Sequence, residues 1–353
     1  MTWFRPVALI LTAIPLLLLQ TCIDKGVDPQ PPKDMRKLIW RVDTLYTPGA
    51  QTILTDVWGS SPQNVLAIGW MSGRSILYRF NGSNWSVEPL PPPDQPFNFV
   101  GLNAITGFAH NDIYVVGEEI GTRNNYRTDT SLILHFNGWI WRKLDFLKGR
   151  TLHSVTGSSS GNIWSGGWNL VLHWDGVEWK NVQVPLFPQG VRFLSAAALA
   201  SNDIYMTGFR IDVVQPHDTT AYFLYRYDGT TWSITDSVIQ TAASPDQKFG
   251  GLLKEIGGTL FSSGSGVFRK NGQQWVRLLD DPAIYFLGGT RPDNLFASGG
   301  RGKAYHYNGR DWYQLKELQN PDAELRRIWT DGNEVFIVGF IEGGLKGIAW
   351  HGK

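Results

Sequence analysis

The chain has 353 residues and carries 32 Lys and Arg against 31 Asp and Glu, a formal net charge of +1. A surface so nearly neutral has no electrostatic footprint for nucleic acid and excludes it as a charge-driven partner. The 16 Trp, 39 Gly and 19 Pro favour short strands and tight turns, and no window carries the apolar period of an amphipathic helix.

Residues 1–21 read as an export signal. Arg5 supplies a short positive start, and Val7 to Leu19 form an apolar run that is too short to span a bilayer comfortably. The single cysteine, Cys22, stands where cleavage would fall, directly after Leu19-Gln20-Thr21. This stretch is similar to the lipobox of bacterial lipoproteins, with Leu at the third position before Cys. Gln20 and Thr21 depart from the small residues usual there, and an ordinary secretory leader with an incidental Cys is the alternative. The resemblance implies diacylation at Cys22, because two chains anchor stably where one is marginal. Ile23 in place of Asp implies, by the same resemblance, the outer membrane. Residues 22–37 include Asp28-Pro29-Gln30-Pro31-Pro32-Lys33-Asp34 and read as an extended tether, so contact with membrane is expected through the lipid anchor only.

From residue 38 onward the chain repeats itself. Leu38 to Val42 resembles an outer strand that lacks its own blade. An Asn or Asp, a Gly, two free positions and a Trp then recur at Asn81-Gly82 with Trp85, Asn137-Gly138 with Trp141 and Asp175-Gly176 with Trp179. They recur again at Asp228-Gly229 with Trp232, Asn271-Gly272 with Trp275 and Asn308-Gly309 with Trp312. Such dipeptides between apolar runs predict tight hairpins with positive φ at both central residues. A hairpin repeated at about 40 residues indicates a propeller or another repeat array.

Unit two shows the four parts in order: Leu102 to Gly107, Ile113 to Gly117, Leu132 to Phe136, and a strand opening at Trp141. The second strand and its closing Gly recur at Gly69, Gly117, Gly167, Gly208, Gly264, Gly299 and Gly339. A Gly there is expected to provide backbone space near a crowded central channel. The last unit ends at His351-Gly352-Lys353, where His351-Gly352 takes the place of Asn-Gly and no Trp strand follows. The strand at residues 38–42 would complete that unit. The expectation is an all-β, seven-bladed β-propeller over 38–353, its last blade closed by the N-terminal strand, since closure removes exposed sheet edges.

The repeats resemble those of secreted bacterial β-propellers, in the broad neighbourhood of the Asp-box proteins, although a true Asp-box has a spacer between Asp and Gly. The resemblance implies a fold and leaves function open.

Neither a nucleophile elbow nor a phosphate loop is present, no spacing suits a metal, and no cofactor is expected. His135, His173 and His306 share one repeat position with Arg79, Arg226 and Arg269, which cannot ligate, and read as half-exposed outer-strand residues. The repeated Trp residues read as blade packing. Departure from repetition is more informative. The residue after the second-strand Gly is Trp70, Glu118, Trp168, Phe209, Ser265, Gly300 or Phe340. Two long polar insertions follow the same position, one with Arg123 and Tyr126, the other with Arg210 and His217, while Arg74 and Arg301 lie in equivalent loops. Aromatic faces beside Arg on loops of a rigid scaffold suit a protein or glycan ligand of the cell envelope. The expected role is a monomeric, non-enzymatic binding or scaffolding protein. The alternatives are aromatics that only cap the core, and an enzyme acting on polysaccharide at the mouth of the channel.

Overall fold

Six of the seven four-stranded sheets in the computed structural model are built from consecutive chain, and the seventh is not. Blade 1 runs outward from the channel as Thr52–Ser61, Asn64–Met71, Arg74–Phe80 and Trp85–Val87. Blade 7 takes Ala323–Thr330, Val335–Ile341 and Lys346–Gly352 from one end of the chain, and its outer strand, Trp40–Leu45, from the other. Inner strands of neighbouring blades touch all the way round, blade 7 with blade 1 included, so the ring is a closed seven-bladed propeller. The structure describes Met1 and residues 33–353, except 93–96, 124–125, 145–149, 186–189, 215–216, 241–248, 250 and 342–345. For 97–99, 122–123, 126–129, 211–214, 217–220 and 240 it describes the backbone alone. Residues 34–353 form one compact unit.

Closure replaces a covalent turn with a reciprocal pair of hydrogen bonds. Trp40 pairs with Gly352, and beyond them Ile39 and Lys353 exchange backbone bonds of 2.9 and 3.1 Å. This shifts the expected register of the last strand. Phe336 pairs with His351 as Phe296 pairs with His306, so His351 is a fourth member of the His series and Lys353 stands where the Asn would be. Gly352 occupies a position that is aromatic in most blades, and a Cβ there would lie 3.0 Å from the Trp40 ring.

The Asn-Gly and Asp-Gly turns are not the expected doubly left-handed hairpins. Only the Gly has positive φ, for example Gly82 at 94° and Gly138 at 95°. The preceding side chain does the rest: Asn81 Oδ1 accepts from the amides of Ser83 (3.0 Å) and Asn84 (2.9 Å), and Asn137, Asp175, Asp228 and Asn308 do the same. These carboxamides and carboxylates serve as acceptors for a four-residue loop, which explains why Asn and Asp interchange. Doubly left-handed turns occur at the other end of the blade, at Ser72-Gly73 (45° and 81°) and Arg301-Gly302 (58° and 64°), and between the first two strands of blade 5, at Gly257-Gly258 (57° and 77°).

The second-strand Gly also has a different cause from the one expected. A Cβ on Gly117 would lie 1.8 Å from the Gly101 carbonyl oxygen, and one on Gly339 would lie 1.9 Å from that of Glu324. The crowding comes from the blade's own inner strand, which crosses over at a bulge: the pairing slips between Leu54 and Asp56, Leu102 and Ala104, and Leu152 and Ser154. Inner-strand carbonyls at this level accept bonds from the preceding blade, as in Thr55 Oγ1 to Leu102 (3.0 Å), Asn103 Nδ2 to Leu152 (2.7 Å) and Ser298 Oγ to Arg326 (2.6 Å).

Blade-to-blade packing follows one rule. One matching position of every second strand is buried: Leu66, Tyr114, Trp164, Tyr205, Phe261, Phe296 and Phe336. Each shares a cluster with the outer-strand Trp of the next blade, namely Trp141, Trp179, Trp232, Trp275, Trp312, Trp40 and Trp85. The fixed-position His completes the layer. His135 stacks on Tyr114 at 4.3 Å, His173 on Trp164 at 3.9 Å and His351 on Phe336 at 4.0 Å. Each also bonds the polar residue that leads into the second strand: His135 with Asp112 (2.8 Å), His173 with Asn162 (2.7 Å), His306 with Asn294 (2.8 Å) and His351 with Glu334 (2.5 Å). Arg79 and Arg226 reach Asn64 and Asp203 in the same way. In these six blades the position is thus a bracket between the second and third strands; His135 and His173 are half-buried, whereas His306 and His351 are buried.

Candidate functional site

Antiparallel blades send the Asn/Asp-Gly turns to one face, called here the turn face, and the second-to-third-strand turns with the inter-blade connections to the other, the loop face. The loop face is uneven around blade 3. Blade 3 (Leu152–Ser159, Asn162–Gly167, Leu170–Trp174, Trp179–Asn181) turns directly after its Gly, with Gly167 paired to Leu170. The blades on either side do not. In blade 2, Asp112–Arg123 and Tyr126–Phe136 continue pairing as far as Arg123 with Tyr126; in blade 4, Asp203–Val214 and His217–Tyr227 continue to Val214 with His217. At about 3.3 Å per residue, each hairpin extends roughly 20 Å past its Gly. Two tall hairpins flank a low blade, and the low blade is the floor of a cleft.

The floor is built around Trp168, which is 42% exposed. The Arg192 guanidinium lies 3.9 Å from the Trp168 ring centroid and 5.8 Å from that of Phe209. The turn carrying Trp168 is bound on both sides. Its amide donates to the Thr151 carbonyl (3.1 Å), the Asn169 amide donates to Val191 (2.8 Å), and Asn169 Oδ1 accepts from the Val191 amide (2.5 Å). Arg150 Nη1 donates to the Trp168 carbonyl at 3.0 Å. Asn169 takes a φ of 50°, a conformation Asn tolerates better than most residues. At the blade 2 side, Thr151 Oγ1 donates to Glu118 at 2.5 Å. Burial, aided by the nearby Arg192 charge, lowers the His153 pKa to about 4, so its imidazole is neutral near pH 7. The site therefore presents a pre-positioned aromatic face beside Arg150 and Arg192, with Glu118 joined to the same turn through Thr151.

The other sequence-derived candidates divide clearly. Phe209 is half-buried, its ring 6.1 Å from that of Tyr222 and 5.8 Å from the Arg192 guanidinium; Arg210 is half-buried with its guanidinium 5.7 Å from the Phe223 ring. The backbones of Arg123, Tyr126 and His217 lie at the hairpin tips, and their side chains are outside the described residues. Trp70 is half-buried on blade 1. Arg74 lines a separate cavity of about 550 Å³ between blades 1 and 2, together with Pro89, Leu90, Leu132 and the Glu119–Lys143 ion pair (2.6 Å). Arg301 is on the far side of the ring, in blade 6. Phe340 is buried at 7% exposure beneath the Arg326 guanidinium, 5.1 Å away. The aromatics do not form a continuous ring; Trp168 and Phe209 are linked only through the Arg192 guanidinium that lies near both. Arg150 and Arg192 were not singled out from the sequence. Both lie in inter-blade connections or at inner-strand starts, where nothing in the repeat distinguishes them.

The channel itself encloses about 190 Å³. Asp56, Lys254 and Arg327 line it, with Trp58 among the residues on its turn-face side. Asp56 accepts the amides of Val57 (2.9 Å) and Ile105 (3.1 Å), and Glu255 accepts that of Gly258 (2.7 Å), so both lining carboxylates are committed to backbone. Lys254 keeps open surface in the channel but has protein on every side. Desolvation lowers its ammonium pKa, opposed by Asp56 and reinforced by Arg327.

No sequence-family model matches the chain, and no curated protein is similar to it. Solved structures are similar in fold. YCF48 bound to a D1 peptide is 14% identical with a TM-score of 0.57, over 89% of this chain and 94% of that one. A catalytically inactive virginiamycin B lyase from Staphylococcus aureus, solved with quinupristin, is 11% identical with a TM-score of 0.58, over 89% and 100%. The extracellular domain of the B. thetaiotaomicron protein BT4673 is 11% identical with a TM-score of 0.60, over 88% of this chain and 40% of that one. At these identities the likeness establishes the propeller fold.

Proposed function

We propose that this is a non-enzymatic binding protein of the bacterial cell envelope, exported, acylated at Cys22 and anchored to the outer membrane, which holds a protein segment in the cleft over blade 3. The observation that carries the reading is the exposed Trp168 ring, fixed by hydrogen bonds from both flanking connections and covered on one side by Arg192. An aromatic face held in place in advance avoids the ordering cost of binding, and the Arg150 and Arg192 guanidinium groups beside it favour a segment bearing carboxylates. The propeller solved with a bound peptide supports this reading in kind. The channel carboxylates, engaged by backbone amides, do not offer the free acid and base that a polysaccharide hydrolase needs.

The test uses the full-length chain in mild detergent as bait against an envelope extract, with an acidic and neutral glycan array in parallel. Trp168→Ala and Arg192→Ala are run beside the wild type. The expected result is a protein partner whose retention falls at least tenfold in both variants. Retention unchanged in both would overturn the site. An acidic glycan retained by the wild type and lost in both variants would keep the cleft and change the ligand class.

A further inference from the structure

The turn face carries an exposed apolar patch that the cleft does not use. Trp139 is 89% exposed and Ile140 53% exposed, side by side on the outer turn of blade 2, and Val177 is 82% exposed at the matching position of blade 3. Elsewhere these two positions are polar: Ser83-Asn84, Thr230-Thr231 and Arg310-Asp311. The turn backbones are held by the Asn137 and Asp175 side chains, so the rings and methyls stay outward. Beside Val177, Lys180 bridges Asp175 (2.6 Å) and Glu178 (3.3 Å), which neutralises acids that anionic headgroups would repel. Trp with aliphatic neighbours is the composition favoured where water meets lipid.

The chain joins the propeller on this same face. Met35 and Leu38 are buried, and Arg36 Nη2 bonds the Asp311 carboxylate (2.9 Å) and carbonyl (3.0 Å) on the outer turn of blade 6. From Cys22 to Asp34 is 12 residues, which reach at most about 40 Å when extended. A lipid at Cys22 therefore keeps the turn face near the bilayer.

We propose that the turn face rests on the lipid surface, with Trp139, Ile140 and Val177 seated in the headgroup region, so that the loop face and its cleft point away from the membrane. This rests on the reading of Cys22 as the acylated residue. The chain at blades 6 and 7 and the apolar turns at blades 2 and 3 give two separated contacts, enough to set a tilt where a tether alone would not.

The test uses full-length protein carrying Val177→Cys, or Glu317→Cys on the loop face as the opposite control, purified from bacterial membranes. Intact mass first reports acylation at Cys22. When Cys22 is acylated the introduced thiol is the only one, and it takes an environment-sensitive dye. The protein is reconstituted on phosphatidylethanolamine–phosphatidylglycerol vesicles containing a headgroup-labelled nitroxide lipid. The expected result is loss of at least half the emission at position 177, little loss at 317, and weaker quenching at 177 when Trp139→Ser and Ile140→Ser are added. Quenching at 317 equal to that at 177, or none at 177, in an acylated chain overturns the orientation alone. An unmodified Cys22 overturns the anchor and the orientation together.

Discussion

The two faces of the ring are made by different means. On the turn face, five of the repeated Asn or Asp side chains accept two amides each from their own turn, and the glycine beside them packs on the neighbouring turn, as Gly138 does against Asn111. On the loop face the turns range from the two residues Ser72-Gly73 to hairpins that run on to Arg123 and Val214. Repetition marks what the fold requires of every blade. Departure from it marks where individual blades are free to differ, and the cleft over blade 3 is made from that freedom.

The comparison would fail if repeat positions proved dispensable. The largest loss is expected at Phe336, fully buried between His351 and Trp85: Phe336→Ala should cost about 4 kcal/mol in denaturant unfolding. Gly117→Ala forces a Cβ against the Gly101 carbonyl, which is backbone and cannot yield cheaply, and should cost about 3 kcal/mol by the same measurement.

Acid sharpens the contrast further. The bond from His306 to Asn294 sets the tautomer with the proton on Nε2, leaving Nδ1 buried without a partner. Burial and the Arg36 charge hold its pKa at about 4, below the ordinary 6.5. The unfolded chain therefore takes up the proton first. The stability that His306 contributes is complete above about pH 6.5 and declines as pH falls towards 4, by about 2 kcal/mol at about pH 5. His306→Gln should remove that part of the decline when unfolding curves at the two pH values are compared.

Asn137→Ala, which orphans the amides of Trp139 and Ile140, should cost about 1 kcal/mol. Trp168→Ala, at the cleft, should cost no more than about 1 kcal/mol, the worth of its stacking on Arg192, while reducing ligand retention at least tenfold. A large stability loss at Trp168 would make it part of the scaffold and dissolve the distinction between the faces.

The seven blades and the closing strand were legible because Trp40 without a blade and a last blade without a Trp strand are complementary absences in the chain. The cause of the second-strand Gly was not, since the atom it avoids belongs to residues about 15 positions earlier, brought over it by a bulge. The His series showed its spacing but not its partner: the bond from His135 to Asp112 crosses a blade, and only the register of the pairing brings them together. For the same reason His351 was read two positions out of register.

The sequence by itself determined the number of blades, their order and the way the ring closes, because those follow from local turn chemistry and from a period that any strand can carry. Only the tertiary structure decided which loop-face residues act together. Trp168 and Arg192 are 24 residues apart in the chain and belong to different blades, and their stacking at 3.9 Å depends on how the start of one blade crosses the turn of the previous one. That crossing is a property of the ring, which no single repeat contains.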